Sequence, residues 1–186
     1  MEKPEWISWD SIHEVIWEAH AENRAKGIVM LFPSLAGDEI REKVEGKGKM
    51  IVALEGDTLV GTAAIIYRNQ SLWCGGGKYA HCCFDAVCPE YKGRGIYKRL
   101  CLYREEIARA DGVSRMSLDT HERNKREIDM VLRNGFIKVS YKNCKDHFNV
   151  MFVKWLDGCP YSRIWCAVRY YWRKLLVRSK RILLGR

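Results

Sequence analysis

The residues best suited to chemistry lie in one short segment, residues 87–100, where a strand-like run leads into a basic, glycine-containing turn. Gly93 and Gly95 alternate with Lys92 and Arg94, and an amphipathic helix is predicted to follow directly. The first backbone N–H groups of a helix have no partner within the helix and carry the positive end of its dipole. Glycines leave those groups accessible, and the two cations add charge at the rim. The segment therefore predicts an anion site of the kind that holds a phosphate.

Two common phosphate-binding motifs do not fit this segment. A P-loop requires Gly-Lys-Ser/Thr at the start of the helix, and the sequence has none there. A dinucleotide-binding turn requires a third glycine, at the position that Lys98 occupies. Another type of phosphate loop is needed.

The segment resembles the coenzyme A loop of the GCN5-related N-acetyltransferase (GNAT) superfamily. The signature of that family is V-x-P, a short spacer, and then Q/R-x-x-G-x-G/A at the pyrophosphate. Five residues fall on this frame: Val87, Pro89, Lys92, Gly95 and Ile96. The sequence departs from it in having Lys92 in place of Gln or Arg, and Tyr97 in place of Gly or Ala. The lysine keeps the charge, whereas Tyr97 would crowd the pyrophosphate unless its ring swings away.

A second group of residues, downstream of the loop, supports the same resemblance. A strand-like Leu-Asp-Thr at 118–120 is followed by Asn124 and by a helix that ends at Gly135 before a phenylalanine. This order is similar to the family's strand, loop asparagine and helix ending in Gly-Phe. Val131 stands where the family often has a tyrosine that acts as general acid. Together the two motifs cover roughly residues 50–155.

The resemblance implies a GNAT-like α+β fold with three α/β/α layers and a central mixed, mostly antiparallel sheet splayed at the acyl-CoA site. Hydrophobic periodicity gives a compatible order, with two N-terminal helices, the first through about Lys26, three strands, a helix, a strand, a helix and two strands. Residues 1–157 are predicted to form the acyltransferase domain. Residues 158–186 are predicted to add a basic amphipathic helix.

The chemistry that the resemblance implies is acyl transfer from a thioester by direct attack of an amine, with acetyl-CoA as co-substrate and no metal. The expected acceptor is a small molecule or an amino sugar. The residues expected to bind coenzyme A are Ala86, Val87, Cys88, Lys92, Gly93, Arg94, Gly95, Ile96, Tyr97 and Asn124. The alternative is a non-catalytic acyl-CoA sensor or a module recruited to a membrane surface, prompted by Val131 and by the missing catalytic glutamate.

His81 is the first candidate for the catalytic base, because it stands where several family members carry a catalytic Glu. Its ordinary pKa of about 6.5 suits proton abstraction near neutral pH. The structural alternative is that His81 packs beside Tyr79 and bonds a backbone carbonyl. Asp85 lies on the same strand face by period-two counting, as a second base or an orienting partner. For Asn124 the alternative role is the N-cap of the following helix.

Composition limits the class of protein and indicates its cellular compartment. A chain of 186 residues with 47% hydrophobic residues can bury one core, and its polar N-terminus does not resemble a secretory signal. Eight cysteines without a C-x-x-C pair favour reduced, buried thiols over disulfides or a zinc site. We therefore expect a cytoplasmic protein.

The C-terminal segment carries nearly all the excess charge. Residues 158–186 contain eight Lys and Arg and no acidic residue, against a net charge of +9 for the whole chain. Its apolar residues are predicted to fall on one helical arc, with most of the basic residues on the other. Three partners remain open for this helix. These are the anionic inner face of a membrane, the protein's own domain or a second protomer in a homodimer, and nucleic acid, which ranks last because no base-reading motif accompanies it.

Overall fold

The structure, a computed structural model, describes residues 1–28, 36–69, 77–144, 147–158 and 163–183. The chain divides into two units, Met1–Ser114 and Arg115–Arg186. Residues 159–162, near the start of the predicted C-terminal helical segment, lie outside the described residues. Among the described residues, none of the helices combines the length and the hydropathy that a bilayer crossing requires.

The first unit contains the predicted order of helices and strands, with one change near the N-terminus. The single helix expected through Lys26 divides at His20, which ends one helix and precedes the next. Strands β1 to β3 pair antiparallel in chain order. The elements are α1 (Trp9–Ala19), α2 (Ala21–Ala25), α3 (Gly37–Val44), β1 (Gly48–Glu55), β2 (Thr58–Asn69), β3 (Lys78–Val87) and α4 (Ile96–Ala110).

Helices cover both faces of the β1–β3 sheet. On one face α1 and α3 bury an apolar cluster that includes Ile12, Ile40 and Ala64. On the other face α4 approaches β2 closely at Gly61, where an added Cβ would lie 3.1 Å from the Ala86 carbonyl oxygen and within 3.3 Å of two α4 side chains. The absent side chain thus allows α4 to pack near the strands, and this packing fixes the turn that precedes it.

A β-bulge interrupts the pairing of β2 with β3. Thr62 and Ala64 pair with Ala86 and Cys83, so two residues of β3 stand opposite one residue of β2. The first of the two, Phe84, has a φ of 57°, in the left-handed region that non-glycine residues rarely occupy. The Thr62 hydroxyl donates a buried 2.8 Å hydrogen bond to the Phe84 carbonyl. The bulge shifts the alternation of side chains along β3 by one residue.

The second unit holds three further strands and two helices among its described residues. Strand β6 pairs antiparallel with both β4 and β5. Helix α5 begins after Asn124 and ends before Gly135, whose φ of 85° is the left-handed helix end that the sequence predicts. The elements are β4 (Arg115–His121), α5 (Lys125–Arg133), β5 (Ile137–Asn143), β6 (Phe148–Trp155) and α6 (Arg163–Leu183).

Helix α6 packs on β5 through an aromatic and ionic contact. Cys166 and Tyr170 are buried, and the ring of Tyr170 meets Tyr141 edge to face at 6.3 Å. Arg178 donates to Glu122 at 2.7 Å and to the Tyr141 hydroxyl at 3.1 Å. The helix therefore docks through these residues, and most of the predicted apolar arc stays exposed.

Candidate active site

The predicted anion loop has the backbone of a helix-start binding turn. Strand β3 leads through a 3-10 turn, Pro89–Tyr91, to Gly93 with φ 85° and to Gly95 with φ 75°, which is the N-cap of α4. An added Cβ at either glycine would meet no atom within 4 Å, so the backbone conformation requires glycine here. No side chain caps α4, and its first turn has no acidic residue. The start of α4 is therefore suited to an anion.

The two cations of the loop make contacts at its rim. Lys92 Nζ donates to the Ala19 carbonyl at 3.4 Å, at the C-terminal end of α1. Arg94 lies 3.3 Å from a Glu55 oxygen, and its guanidinium lies over the ring of Tyr91. Both contacts are exposed, and exposed pairs are weak. Either side chain can exchange its present contact for a stronger one to a phosphate.

Tyr97, the departure from the family frame, directs its hydroxyl to β3. Its Oη donates to Asp85 Oδ2 at 3.4 Å. Burial, followed by the nearby Asp85 carboxylate, raises the pKa of the Tyr97 hydroxyl well above its usual value. The group thus remains a proton donor, and this contact holds the Tyr97 ring towards β3.

Asp85 forms an ion pair with Arg104, which is almost fully buried. Arg104 Nη1 lies 2.5 Å from Asp85 Oδ1, and the two side chains are 1% and 17% exposed. Burial alone would lower the pKa of Arg104, but the Asp85 carboxylate outweighs burial and holds that pKa above its ordinary value. Both oxygens of the Asp85 carboxylate are engaged, one by Arg104 and the other by Tyr97, so the geometry favours an orienting role for Asp85.

His81 and Asp85 do not share a face of β3, and the period-two count that put them together is wrong. His81 pairs with Ile66, which packs against the α1–α3 cluster, whereas Asp85 bonds to Arg104 on α4. The bulge at Phe84 causes the difference, because it adds one residue to the alternation. His81 lies half-buried on the α1 side of the strand.

A histidine that the sequence did not indicate, His20, reaches β3 from the end of α1. Its Nε2 lies 3.1 Å from the Asp85 carbonyl oxygen, and its buried Nδ1 has no hydrogen-bond partner among the described residues. Burial lowers the pKa of His20 below 6.5, so the ring is neutral at pH 7. Nε2–H then donates to the carbonyl and Nδ1 carries a lone pair. No local pattern marks this histidine, because its contact is 65 residues distant.

Asn124 is the N-cap of α5, which is one of the two roles predicted for it. Its Oδ1 accepts from the Glu127 N–H at 3.3 Å, and its Nδ2 donates to Glu127 Oε2 at 2.7 Å. A contact to coenzyme A stays a prediction. Val131, which replaces the family's tyrosine, is 1% exposed and part of the core.

The described cysteines are thiols with little nucleophilic character. Burial raises the pKa of Cys82 to about 12 and also raises the pKa values of Cys83 and Cys101. Thiols with such values stay protonated near neutral pH. In the part of the chain that the structure describes, no group of three His, Cys, Asp or Glu side chains has the geometry of a metal site.

The sequence matches the family model described as Acetyltransferase (GNAT) family over residues 9–136, more than half of the chain. No curated protein sequence matches the chain.

Several solved structures share the fold at low sequence identity. An aminoglycoside 6'-N-acetyltransferase complexed with coenzyme A is 14% identical, with a TM-score of 0.65 over 87% of this chain and 98% of that one. A GNAT acetyltransferase from Staphylococcus aureus Mu50 is 14% identical, with a TM-score of 0.66 over 84% and 97%. The ribosomal-protein-S18-alanine N-acetyltransferase from Escherichia coli is 14% identical, with a TM-score of 0.62 over 84% and 92%. The predicted GNAT-like α+β fold, with a mostly antiparallel sheet, is confirmed.

The buried ion pair predicts a specific pattern of stabilities. Arg104→Met should lower the free energy of unfolding by about 3–5 kcal/mol, because it leaves the Asp85 carboxylate without its cation. The double variant Arg104→Met/Asp85→Asn should lose less than the sum of the two single variants. Urea denaturation measures all three, with Arg94→Met as the exposed-pair control, expected to lose about 1 kcal/mol or less. Simple additivity of the two single losses would contradict the pairing.

The lowered pKa of His20 predicts a pH dependence of stability. The unfolded chain, with an ordinary histidine pKa of about 6.5, binds this proton before the folded protein does. His20 therefore favours the folded state less as the pH falls below about 6.5. His20→Gln keeps a donor for the Asp85 carbonyl and removes the titration. The urea midpoint should fall further from pH 7.5 to 5 in the wild type than in the variant, and parallel curves would contradict the assignment.

Proposed function

Because the chain belongs to the GNAT acetyltransferase family, we propose that it transfers an acetyl group from acetyl-CoA to an amine of a small molecule or an amino sugar. The observation that carries the proposal is the loop before α4, where two left-handed glycines precede a helix start without a side-chain cap. This loop fits the diphosphate of coenzyme A, since an anion can approach the helix N–H groups without meeting a Cβ.

The donor would be held by the residues that the resemblance assigned. The backbone of the glycine turn binds the diphosphate, and Lys92 and Arg94 turn from their rim contacts towards its oxygens. The pantetheine arm lies along the end of β3, and the resemblance also assigns Asn124 to coenzyme A. The full set is Ala86, Val87, Cys88, Lys92, Gly93, Arg94, Gly95, Ile96, Tyr97 and Asn124.

The transfer requires an uncharged amine and a donor to the developing oxyanion. The amine nitrogen forms a bond to the thioester carbonyl carbon, the carbon–sulfur bond breaks, and the sulfur leaves as the coenzyme thiolate. A backbone N–H near Val87 stabilises the negative charge on the carbonyl oxygen. The proton of the amine goes to a histidine, a step typically worth about 10² to 10⁴ in rate.

We assign that proton to His81, with His20 as the alternative that the geometry adds. His81 faces the α1 side of β3, and the resemblance assigns its position to the base. His20 is supported by a neutral ring and by a buried Nδ1 lone pair. Asp85 is then a positioning residue, which holds the bulge through Arg104 and Tyr97.

The acceptor is inferred from similar structures, and the compartment from the cysteines. Similar structures include an aminoglycoside acetyltransferase and a ribosomal-protein-alanine acetyltransferase, so the fold accommodates both kinds of amine. We favour a small molecule, because the aminoglycoside acetyltransferase is matched over 98% of its length. Buried thiols with raised pKa values suit a reducing compartment, so we place the enzyme in the cytoplasm.

The competing function is an acyl-CoA sensor that does not turn over. Val131 favours it, because a buried valine cannot replace a tyrosine as proton donor. Such a protein would bind acetyl-CoA and leave it intact in the presence of any amine.

Acetyl-CoA binding tests the loop directly. Titration calorimetry should detect binding of acetyl-CoA and of coenzyme A by the full chain. Lys92→Ala should weaken both by about tenfold or more, because it removes a cation from the diphosphate. Lys142→Ala, an exposed lysine on β5, is the charge-matched control and should bind as the wild type does. Absence of binding by the wild type would overturn the proposed function.

Acetylation of a panel of amines and amino sugars separates the enzyme from the sensor. His81→Ala should lower kcat by about 10² or more at neutral pH while the KM for acetyl-CoA stays similar. Raising the pH should recover part of the loss, because the amine then deprotonates without a base. If His20→Gln shows this pattern and His81→Ala does not, His20 is the base. Full turnover in both variants would exclude His81 and His20 as the base.

A further inference from the structure

Helix α6 presents a continuous apolar surface to solvent. Two tryptophans belong to it, Trp165 and Trp172, and the latter is 64% exposed, as is Leu175. We call the surface the α6 stripe; its members are Ile164, Trp165, Val168, Tyr171, Trp172, Leu175 and Leu176. Exposed large apolar side chains elsewhere in the described residues are scattered along the chain: Met1, Trp6, Trp17, Leu102 and Leu132. In the described structure, the exposed large apolar side chains are therefore concentrated in the α6 stripe.

The α6 stripe lies opposite the face by which the helix docks. Cys166 and Tyr170 are buried, and Lys174 lies near the ring of Tyr141 on β5. At about 100° of rotation per residue, these positions centre roughly half a turn from the stripe. The fold thus holds the helix in place without covering its apolar side.

Basic side chains border the stripe on both edges. By the same helical geometry, Arg173 and Lys180 fall along one edge. Lys174 and Arg178 fall along the other edge, next to the docking face, and Arg178 is paired with Glu122. The helix contains no Asp or Glu that would offset the charge of the first edge. The surface is an apolar band with cationic side chains at both edges.

We propose that the α6 stripe binds the surface of a lipid bilayer with anionic headgroups, with the helix axis parallel to the membrane plane. Tryptophan and leucine side chains enter the boundary between headgroups and acyl chains. Arg173 and Lys180 extend sideways to the lipid phosphates while their stems cover apolar surface. The stripe runs from Ile164 to Leu176, about 18 Å along the helix axis.

Charge favours lipid over the other occupants of such a face. A second copy placed stripe to stripe would bring the cationic borders of two identical helices together, and the helix has no acidic residue to pair with them. A nucleic acid would meet exposed tryptophan and leucine where phosphate contacts are needed. An anionic bilayer can bind both parts of this surface, because its acyl chains accept the apolar side chains and its headgroups pair with the cationic ones.

Vesicle co-sedimentation of the full chain tests the proposal. A truncation is unsuitable, because removing α6 would expose its contacts with Tyr141 and Glu122 on the second unit. The wild type should bind vesicles that contain phosphatidylglycerol more strongly than phosphatidylcholine vesicles, and high salt should weaken the difference. Trp172→Gln/Leu175→Gln should reduce the partition coefficient by about tenfold or more. Trp6→Gln, at 61% exposure, is the matched control and should bind like the wild type.

A charge variant tests the borders. Arg173→Gln/Lys180→Gln should weaken binding to the phosphatidylglycerol vesicles by about tenfold and leave binding to phosphatidylcholine unchanged. Acetyl-CoA binding should be unaltered in all three variants, and this result would report that they fold. The membrane proposal can therefore fail while the proposed enzymatic function holds, and the reverse.

Three outcomes would overturn the membrane assignment. The first is no binding of the wild type to anionic vesicles at low salt, and the second is undiminished binding by Trp172→Gln/Leu175→Gln. The third is that the stripe binds a second copy of the chain or a nucleic acid while the protein does not bind vesicles. A dimer in light scattering that Trp172→Gln/Leu175→Gln dissolves would assign the stripe to a second copy, and duplex DNA binding that Arg173→Gln/Lys180→Gln abolishes would assign it to nucleic acid.

Discussion

The left-handed backbone of Phe84 is the constraint on which the candidate active site depends. A non-glycine residue in that region costs about 1–3 kcal/mol and persists only where its surroundings hold it. Here the Thr62 hydroxyl bonds the carbonyl of Phe84, and His20 bonds that of Asp85. The Asp85 carboxylate is fixed in turn by Arg104. The bulge thus joins β2, α1 and α4 at one point of β3, directly before the loop that would hold the donor.

Local sequence patterns predicted much of the fold and of the loop, because their causes are local. The turn after β3 requires glycine at 93 and 95 because its backbone is left-handed there, and the cap of α5 follows from the preference of asparagine for the N-cap position. What could not be predicted depends on distant contacts. Nothing near Phe84 indicates a left-handed phenylalanine, and without the bulge a period-two count puts Asp85 on the wrong face.

The C-terminal helix shows the same limit at a larger scale. Its period and charge predict an amphipathic helix, and the usual expectation is that the apolar side packs inward. In the structure, the contacts of Tyr170 with Tyr141 and of Arg178 with Glu122 hold another side instead. A pattern of hydrophobicity gives the period of a helix, whereas the docking face depends on partner side chains that are remote in sequence.

The buried thiols offer a way to observe motion in each unit separately. Burial raises the pKa of Cys82 on β3 to about 12, so its thiol stays protonated near neutral pH, and alkylating reagents attack the thiolate. Cys166 on α6 is 1% exposed, so a reagent reaches it only when that helix lifts from β5. The labelling rates of the two cysteines therefore report two motions independently. The rate at Cys82 reports the opening of the strand that carries the bulge, and the rate at Cys166 reports the release of the C-terminal helix.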